Sequence, residues 1–344
     1  MKTAIALSGG ADSLFSLASL KERGRDVLAV HAFFLPPDQA MLNTARSLET
    51  ICSKLQVPLK IIDLSREFRE KVINPFIAAY KNGFTPNPCS ICNQRIKFGL
   101  LLEQCLEMGA QTMATGHYAR VESGTLWRGQ DAGKDQSYFL ALVAREKLKR
   151  VFLPLGTREK KDILSELQQI NLAPVHNGES QEVCFIPGNY REFLTKYCPD
   201  LSGPGPIIGP QGNELGRHRG LWAYTPGQRR GLGIAYEYPL YVIGKDMHKN
   251  QLIVGPREAL NSSGCELRDL NILIPVADWP KTVFVQTRYR QQPKPSFIGS
   301  LGHSSMRIIF IEAQKKPAPG QIAAIYSHAG QVLGAGKIVR EIHG

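Results

Sequence analysis

Three absences narrow this sequence before any motif does. No apolar run among its 344 residues approaches the length of a membrane span. Neither GxxxxGK followed by Ser or Thr, nor GxGxxG, occurs, so the usual NTPase loop and the dinucleotide fingerprint are both excluded. The seven cysteines (Cys52, Cys89, Cys92, Cys105, Cys184, Cys198 and Cys265) are few and odd in number, which does not suit a secreted disulfide framework. In a reducing compartment such thiols serve catalysis or metals more often than bridges. Acidic residues are also short: 30 against 42 basic ones, for a net charge of +12. The imbalance is uneven, since residues 201–344 hold 17 basic and 9 acidic side chains. That excess suits a polyanionic partner, although a basic surface kept for solubility explains it equally well. The start, Met1 to Leu7, mimics a signal peptide, but its apolar part is too short and runs straight into a glycine turn. The expectation is a cytoplasmic protein of two or three domains with no membrane partner.

What is present is concentrated in Ser8-Gly9-Gly10-Ala11-Asp12-Ser13. A strand-like run, Thr3–Leu7, precedes it and a helical pattern, Asp12–Glu22, follows. Strand, glycine turn and helix N-terminus together make an anion site, because free backbone N–H groups and the helix dipole both favour negative charge. The bland alternative is a Gly-Gly turn whose Asp12 compensates the dipole. The string SGGADS resembles the SGGxDS signature of the PP-loop ATP pyrophosphatases. That resemblance implies a loop holding the ATP pyrophosphate while a substrate oxygen attacks the α-phosphate, with Asp12 an indirect Mg²⁺ ligand.

Along the chain, strand-like runs (Thr3–Leu7, Asp26–Phe34, Pro58–Leu64, Gln111–Gly116) alternate with helical ones (Asp12–Glu22, Asp38–Leu55, Arg66–Tyr80, Cys92–Met108, Thr157–Asn171). This order predicts an α/β domain with a parallel sheet and helices on both faces. Pro199–Pro206 reads as a linker. Short β-branched and aromatic runs follow at Leu221–Tyr224, Leu240–Ile243 and Gln251–Val254. A weak boundary falls at Asn261–Gly264. Val283–Arg288, Met306–Ile311, Gln321–Tyr326 and Gly336–Ile342 then read as strands of a small barrel or sandwich. The expected division is 1–200 for the nucleotide domain, 207–262 for a small β-rich domain and 264–344 for a β-barrel.

Thr85-Pro86-Asn87-Pro88-Cys89-Ser90-Ile91-Cys92 places a CxxC pair at a helix N-terminus, where thiolates are stabilised. The pair is redox-active or half of a metal site; with no second CxxC, a four-cysteine zinc site is disfavoured. Cys184, alone, reads as structural, as do Cys52, Cys105, Cys198 and Cys265. His117 reads as a nucleotide neighbour or a satisfied structural histidine. Arg229 and Arg230 read as RNA contacts or solvated turn residues.

Taken together, SGGADS, the TPNP segment ending at Cys92-Asn93, ATGHYAR at 114–120, KDQSYFL at 134–140, VCFI at 183–186, YTPGQRRGLGI at 224–234 and RYRQ at 288–291 resemble, in family order, the MnmA/TrmU-type tRNA uridine 2-sulfurtransferases. The resemblance implies ATP-dependent thiolation at C2 of the wobble uridine. It implies an ATP site at Ala6, Leu7, Ser8, Gly9, Gly10, Ala11, Asp12 and Ser13 with backbone at Ala32 and Gly116. It makes Cys184 the persulfide carrier and Cys92 its partner, with Asp12 the third catalytic residue. Asn87, Pro88 and Cys89 border the target base, and Lys134, Asp135, Gln136, Arg288 and Tyr289 contact tRNA. The partners implied are tRNA and a sulfur donor such as a cysteine desulfurase or relay protein. One departure stands out: Cys89 replaces the Asp usual in bacterial members. Cys89, Cys92 and Cys184 could therefore hold a 4Fe–4S cluster with one open iron. Two rivals are weighed beside this: a PP-loop ligase or amidotransferase acting on a small molecule, and a non-catalytic tRNA binder.

Overall fold

Lys2–Ala6 (β1) is buried along its middle on both faces, as a continuous apolar run in a central parallel strand must be. The structure, a computed structural model, describes residues 1–176, 183–186, 188–198, 200–302 and 304–342. Around β1 lie Asp26–Phe33 (β2), Leu59–Asp63 (β3), Thr112–Ala114 (β4) and Val151–Phe152 (β7), in the order β3-β2-β1-β4-β7, all parallel. The hairpin Ala119–Glu122 (β5) with Thr125–Arg128 (β6) stands apart from this sheet. Strand order reverses at β1, so the crevice beyond its carboxyl end is the ligand position for an open α/β sheet.

The longer helices are those the sequence pattern predicts: Ala11–Glu22 (α1), Gln39–Lys54 (α2), residues 65–81 (α3), residues 88–107 (α4) and Lys160–Gln169 (α5), with Tyr190–Tyr197 (α6) beyond; the short turns of helix at Ser137–Leu140 and Arg145–Leu148 were not expected. Both α3 and α4 contain π-helical turns, at Arg69–Ile73 and Asn93–Leu101. Such turns cluster at functional sites. They bring residues five apart onto one face, which in α4 aligns Cys92 with Lys97.

After the sheet domain, Gly205–Ile208 (β8), Glu214–His218 (β9), Tyr241–Asp246 (β10) and Gln251–Gly255 (β11) form a four-stranded sheet. Leu221–Ala223, expected within a strand, is a buried 3₁₀ turn instead; Trp222 Nε1 donates to Ser202 O (3.1 Å) and holds it down. Residue 199 of the expected linker lies outside the described residues. The last region resolves the choice between barrel and sandwich. Asn261–Ile272 (β12), Val283–Gln286 (β13), Lys294–Leu301 (β14), Ser305–Lys315 (β15), Ile322–Tyr326 (β16) and Val332–Ile342 (β17) close into an antiparallel barrel, β12-β15-β14-β13-β16-β17.

The barrel is fastened to the nucleotide domain by polar contacts as well as by packing. Asn271 Nδ2 donates to Ala141 O (2.8 Å) and Val143 O (3.0 Å). Thr85 N donates to Pro319 O (2.8 Å), and Gln321 Nε2 donates to Thr85 O and Pro86 O (both 3.1 Å). The segment leading into the CxxC pair is thus held from the barrel side.

Candidate active site

The phosphate loop is preformed. Gly9 adopts φ +88°, the left-handed region glycine favours, and a side chain there would crowd Thr44 and His176. Val175 N donates to Gly9 O (2.8 Å), and His176 Nε2 pairs with Thr44 Oγ1 (3.1 Å), so residues 175–176 brace the turn. Ser13 Oγ donates to Gly10 O (2.9 Å) and accepts from Ser8 N (3.2 Å), closing the loop around the start of α1. The helix begins at Gly10 with no side-chain cap, which leaves its first N–H groups for an anion.

Asp12 is the hub of the site. Its Oδ1 accepts from Lys160 Nζ (2.6 Å) and from Tyr118 OH (2.7 Å). Lys160 opens α5 and Tyr118 lies in the loop after β4, so neither neighbour is visible from local sequence. Gly116 is required by the same packing: a Cβ there would lie 2.8 Å from the Asp12 carbonyl carbon and 3.0 Å from its Cβ. Ala6 closes β1 and Ala32 is the last residue but one of β2, both half-buried. Ala6 to Ser13, Ala32 and Gly116 thus lie at the carboxyl end of the parallel sheet.

Cys89 and Cys92 lie in the first turns of α4. Asn87 caps it, its Oδ1 accepting from Ser90 N (3.1 Å), with Pro88 following. The expectation of activated thiols is corrected here. Burial pushes Cys92 up to about 12 and pushes Cys89 and Cys184 up as well, although Lys97 pulls all three the other way. The helix terminus is already satisfied by Asn87, and Cys92 points into the core, so desolvation wins over the dipole. Lys97 is the cation that sequence reading missed.

Cys184 sits in a tight turn closed by Ile186 N donating to Val183 O (2.9 Å). It is exposed on one side, while protein around it still desolvates the thiol. Phe185 anchors the turn, with ring centroids 5.3 Å from Phe76, 5.5 Å from Phe193 and 5.7 Å from Phe68. Beside it opens a cavity of about 510 Å³ whose walls include Phe76, Tyr80, Pro86, Pro88, Val183 and Tyr190. Among the described residues, no three His, Cys, Asp or Glu side chains stand close enough together to hold a metal ion. Cys89 and Cys92 each feel the charge of Cys184, so the three thiols share one neighbourhood.

The residues expected to meet tRNA fall into two kinds. Asp135 is buried and fully engaged: Oδ1 accepts from Gly129 N (2.9 Å) and Ser137 N (3.0 Å), Oδ2 from Arg128 Nε (2.7 Å) and Ser137 Oγ (3.0 Å). Its work is to shape the loop that carries Lys134. Gln136 pairs with Tyr118, donating N–H to Tyr118 O (2.7 Å) and accepting at Oε1 from Tyr118 N (3.0 Å). Tyr289 packs against Phe139 with ring centroids 4.3 Å apart and planes tilted by 35°, and Phe139 O accepts from Asn93 Nδ2 (3.2 Å), which joins the barrel to the thiol helix. Arg288 Nη2 donates to Pro226 O (3.2 Å) and Lys316 O (3.3 Å). His117 is buried, paired with Thr115 Oγ1 (2.7 Å) and held neutral by desolvation, which is the satisfied structural reading. Arg229 and Arg230 are exposed.

Comparison with known proteins follows the same division. Family profiles described as tRNA methyl transferase HUP domain, tRNA methyl transferase PRC-barrel domain and aminomethyltransferase beta-barrel domain match residues 1–188, 191–256 and 262–338. The tRNA-specific 2-thiouridylase MnmA of Nitratidesulfovibrio vulgaris (strain DSM 19637 / Miyazaki F) is 48% identical across 98% of this chain and 99% of its own. That of Lawsonia intracellularis is 43% identical across 99% of this chain and 100% of its own. A solved U34-tRNA thiolase NcsA from Methanococcus maripaludis, with its 4Fe–4S cluster, is similar at 17% identity and a TM-score of 0.38, over 58% of this chain and 66% of that one.

Proposed function

This chain belongs to the tRNA-specific 2-thiouridylase family, and on that premise we propose how it thiolates C2 of a wobble uridine in tRNA anticodons, in the cytoplasm and with ATP as co-substrate. The observation that carries the reading is one crevice edge that holds a preformed phosphate loop, with paired thiols on a helix tied to the tRNA-facing barrel.

The ATP pyrophosphate lies on the N–H groups from Gly9 to Ser13. Lys160 lies beside Asp12 and supplies positive charge at the loop. Asp12, whose Oδ1 is engaged by Lys160 and Tyr118, would hold a hydrated Mg²⁺, which would supply positive charge for the phosphates. The flipped-out base enters by Asn87 and Pro88, and the aromatic and proline cavity beside them is wide enough for a nucleobase. Its C2 oxygen attacks the α-phosphorus, and pyrophosphate leaves with the bonding pair. C2 then carries AMP, a far better leaving group than oxide.

Sulfur arrives as a persulfide on Cys184, loaded by a cysteine desulfurase or relay protein at the exposed turn. Cys92 thiolate attacks the inner sulfur of that persulfide. A Cys92–Cys184 disulfide forms and hydrosulfide leaves. Hydrosulfide attacks C2, and AMP departs with the C–O pair. A dithiol reductant reopens the disulfide for the next cycle. Lys97 offsets the negative charge that each thiolate step gathers.

The test measures ATP-to-AMP turnover with and without tRNA, and 2-thiouridine in the digested tRNA by mass spectrometry. AMP formation that requires tRNA, accompanied by 2-thiouridine, is expected. AMP formation indifferent to tRNA would turn the reading toward a small-molecule ligase; tRNA binding with no AMP would turn it toward a binder.

A further inference from the structure

Two side chains hold the Asp12 carboxylate, and one loop holds both of them. Lys160 is the first residue of α5. Its backbone N–H is taken not by the N-cap position, Glu159, but by Asp131 Oδ2 (3.0 Å), 29 residues earlier. The start of a helix leaves N–H groups that a side-chain oxygen can claim, and the oxygen that claims them fixes where the helix begins. Asp131 Oδ1 accepts from Gly133 N (3.0 Å), and Gln130 N donates to Gly156 O (2.9 Å), so the loop is pinned to the segment entering α5. Lys160 Nζ then reaches Asp12 Oδ1 (2.6 Å).

The other arm leaves the same loop at Gln136. Its N–H donates to Tyr118 O (2.7 Å) and its Oε1 accepts from Tyr118 N (3.0 Å), which fixes the Tyr118 backbone at both polar groups. Tyr118 OH then donates to Asp12 Oδ1 (2.7 Å), and Lys160 Nζ lies 5.8 Å from the Tyr118 ring centroid. Both arms thus end on one carboxylate oxygen. The far side of the loop is anchored on the barrel. Arg128 N donates to Gly330 O (3.0 Å), in the turn between β16 and β17, and Ser137 Oγ meets Tyr326 OH (3.2 Å). Asp135, buried between Arg128 and Ser137 and bonded to both, ties the two anchors together.

We propose that residues 128–137 are a strut that sets the geometry of the adenylation step, with Asp131 and Gln136 as positioning residues that act on Asp12 through Lys160 and Tyr118. The proposal rests on the thiolation reading, in which Asp12 and Lys160 serve the ATP phosphates. Neither Asp131 nor Gln136 touches Asp12 through a hydrogen bond of its own; each fixes the backbone of the residue that does. Attack on the α-phosphorus depends on charges already in place, and a support that shifts by about 1 Å away from the chemistry can cost about 100-fold in rate. The loss then falls on turnover more than on ATP binding, because the backbone N–H groups from Gly9 to Ser13 still receive the pyrophosphate.

The experiment is a pair of double-variant cycles on the full chain, read as AMP formation at saturating tRNA and varied ATP, with thermal unfolding followed on each protein. Asp131→Ala is expected to lower kcat about 10- to 100-fold while ATP KM changes far less. Asp131→Asn keeps an acceptor for Lys160 N and is expected to restore turnover close to wild type. In a Lys160→Met background, Asp131→Ala is expected to change kcat by no more than about twofold, since its route to Asp12 is already gone. The second cycle sets Gln136→Met, and its rescue by Gln136→Glu, against Tyr118→Phe, with the same pattern expected. It carries the test by itself if Asp131→Ala does not fold. Losses that multiply in either cycle, or a rescue variant as slow as the variant it should rescue, would overturn the strut while leaving the thiolation reading standing. Wild type that forms AMP with tRNA but yields no 2-thiouridine would overturn the thiolation reading alone, and wild type that forms no AMP would overturn both.

Discussion

The phosphate loop and the thiol pocket lie within one domain but are prepared to different degrees. At the loop every group is set before substrate arrives: Gly9 is already left-handed, Ser13 is bonded to the turn, and Asp12 is clamped by Lys160 and Tyr118. At the thiols the reverse holds. Cys92 is buried and pushed up to about 12, Cys184 faces solvent, and Lys97 is the cation acting on both. The contrast matches the order of the chemistry we propose. Adenylation needs fixed donors at once. A persulfide carrier must instead stay accessible to its donor, and a thiol kept protonated does not react between cycles.

The largest expected effect separates the two regions outright. Asp12→Ala or Lys160→Met should lower AMP formation about 100-fold or more, the scale for losing a preorganised charge, with tRNA affinity within about twofold. Cys92→Ser or Cys184→Ser should abolish 2-thiouridine while adenylation continues. Both readouts on one preparation decide it. AMP formation lost in the cysteine variants would mean that loop and thiols form a single unit.

How much of this was legible follows the same divide. The parallel sheet and its helices were readable because β1 and β2 are apolar runs and SGGADS sits directly between strand and helix. Asp12's partners were not, because Lys160 and Tyr118 lie 148 and 106 residues away and meet it only through the fold. Lys97 could have been found from its place five residues after Cys92, had the π-helical turns been foreseen. In the barrel, Asn261-Ser262-Ser263-Gly264 reads as a boundary yet opens β12. Ser262 is buried there, its Oγ donating to Gly264 O (2.7 Å) and Ile342 O (2.8 Å), and Gly264 is pressed against the Ile308 carbonyl. Small polar residues at a boundary between regions thus also serve strand packing. Leu221–Tyr224 erred the other way: its apolar run fills a buried turn.

Next in size is Gly116→Ala, which tests how rigid the loop is. The added Cβ meets the Asp12 backbone at 2.8–3.0 Å, so α1 or the strand end must move. Overpacking of this kind costs about 1–3 kcal/mol. An ATP KM raised about tenfold, with thiol alkylation unchanged, is the expected pattern, read from steady-state kinetics and thermal unfolding. A variant with unaltered KM would show the loop to be more tolerant than its packing indicates.

Lys97→Met probes the other side. Removing the cation raises the Cys89, Cys92 and Cys184 pKa values further, so alkylation at pH 8 should slow about three- to tenfold while Lys97→Arg stays near wild type. The sign for stability is equally definite. A thiol whose folded pKa is raised contributes stability present below its unfolded value, near 8.5, and lost as pH climbs toward the folded one, about 12 for Cys92. Wild-type unfolding free energy should therefore fall between pH 9 and 12, and less so in Cys92→Ala. A flat alkylation profile across Lys97 variants would remove the electrostatic role.

The smallest expected change is also the most discriminating. Cys89 stands where the family resemblance leads one to expect Asp, in the first turn of α4 beside the Asn87 cap. If sulfur moves by persulfide between Cys184 and Cys92, Cys89 is a bystander, and Lys97 would hold an introduced carboxylate charged. Cys89→Asp should then keep thiolation within about threefold, with ATP KM unaltered. If instead the three thiols close around iron, the same substitution replaces a soft thiolate by a hard carboxylate, and iron and activity fall together. Anaerobic purification of both proteins, with iron and acid-labile sulfide counted beside 2-thiouridine yield, separates them. Iron in wild type that disappears with activity in Cys89→Asp would replace the persulfide route by the cluster.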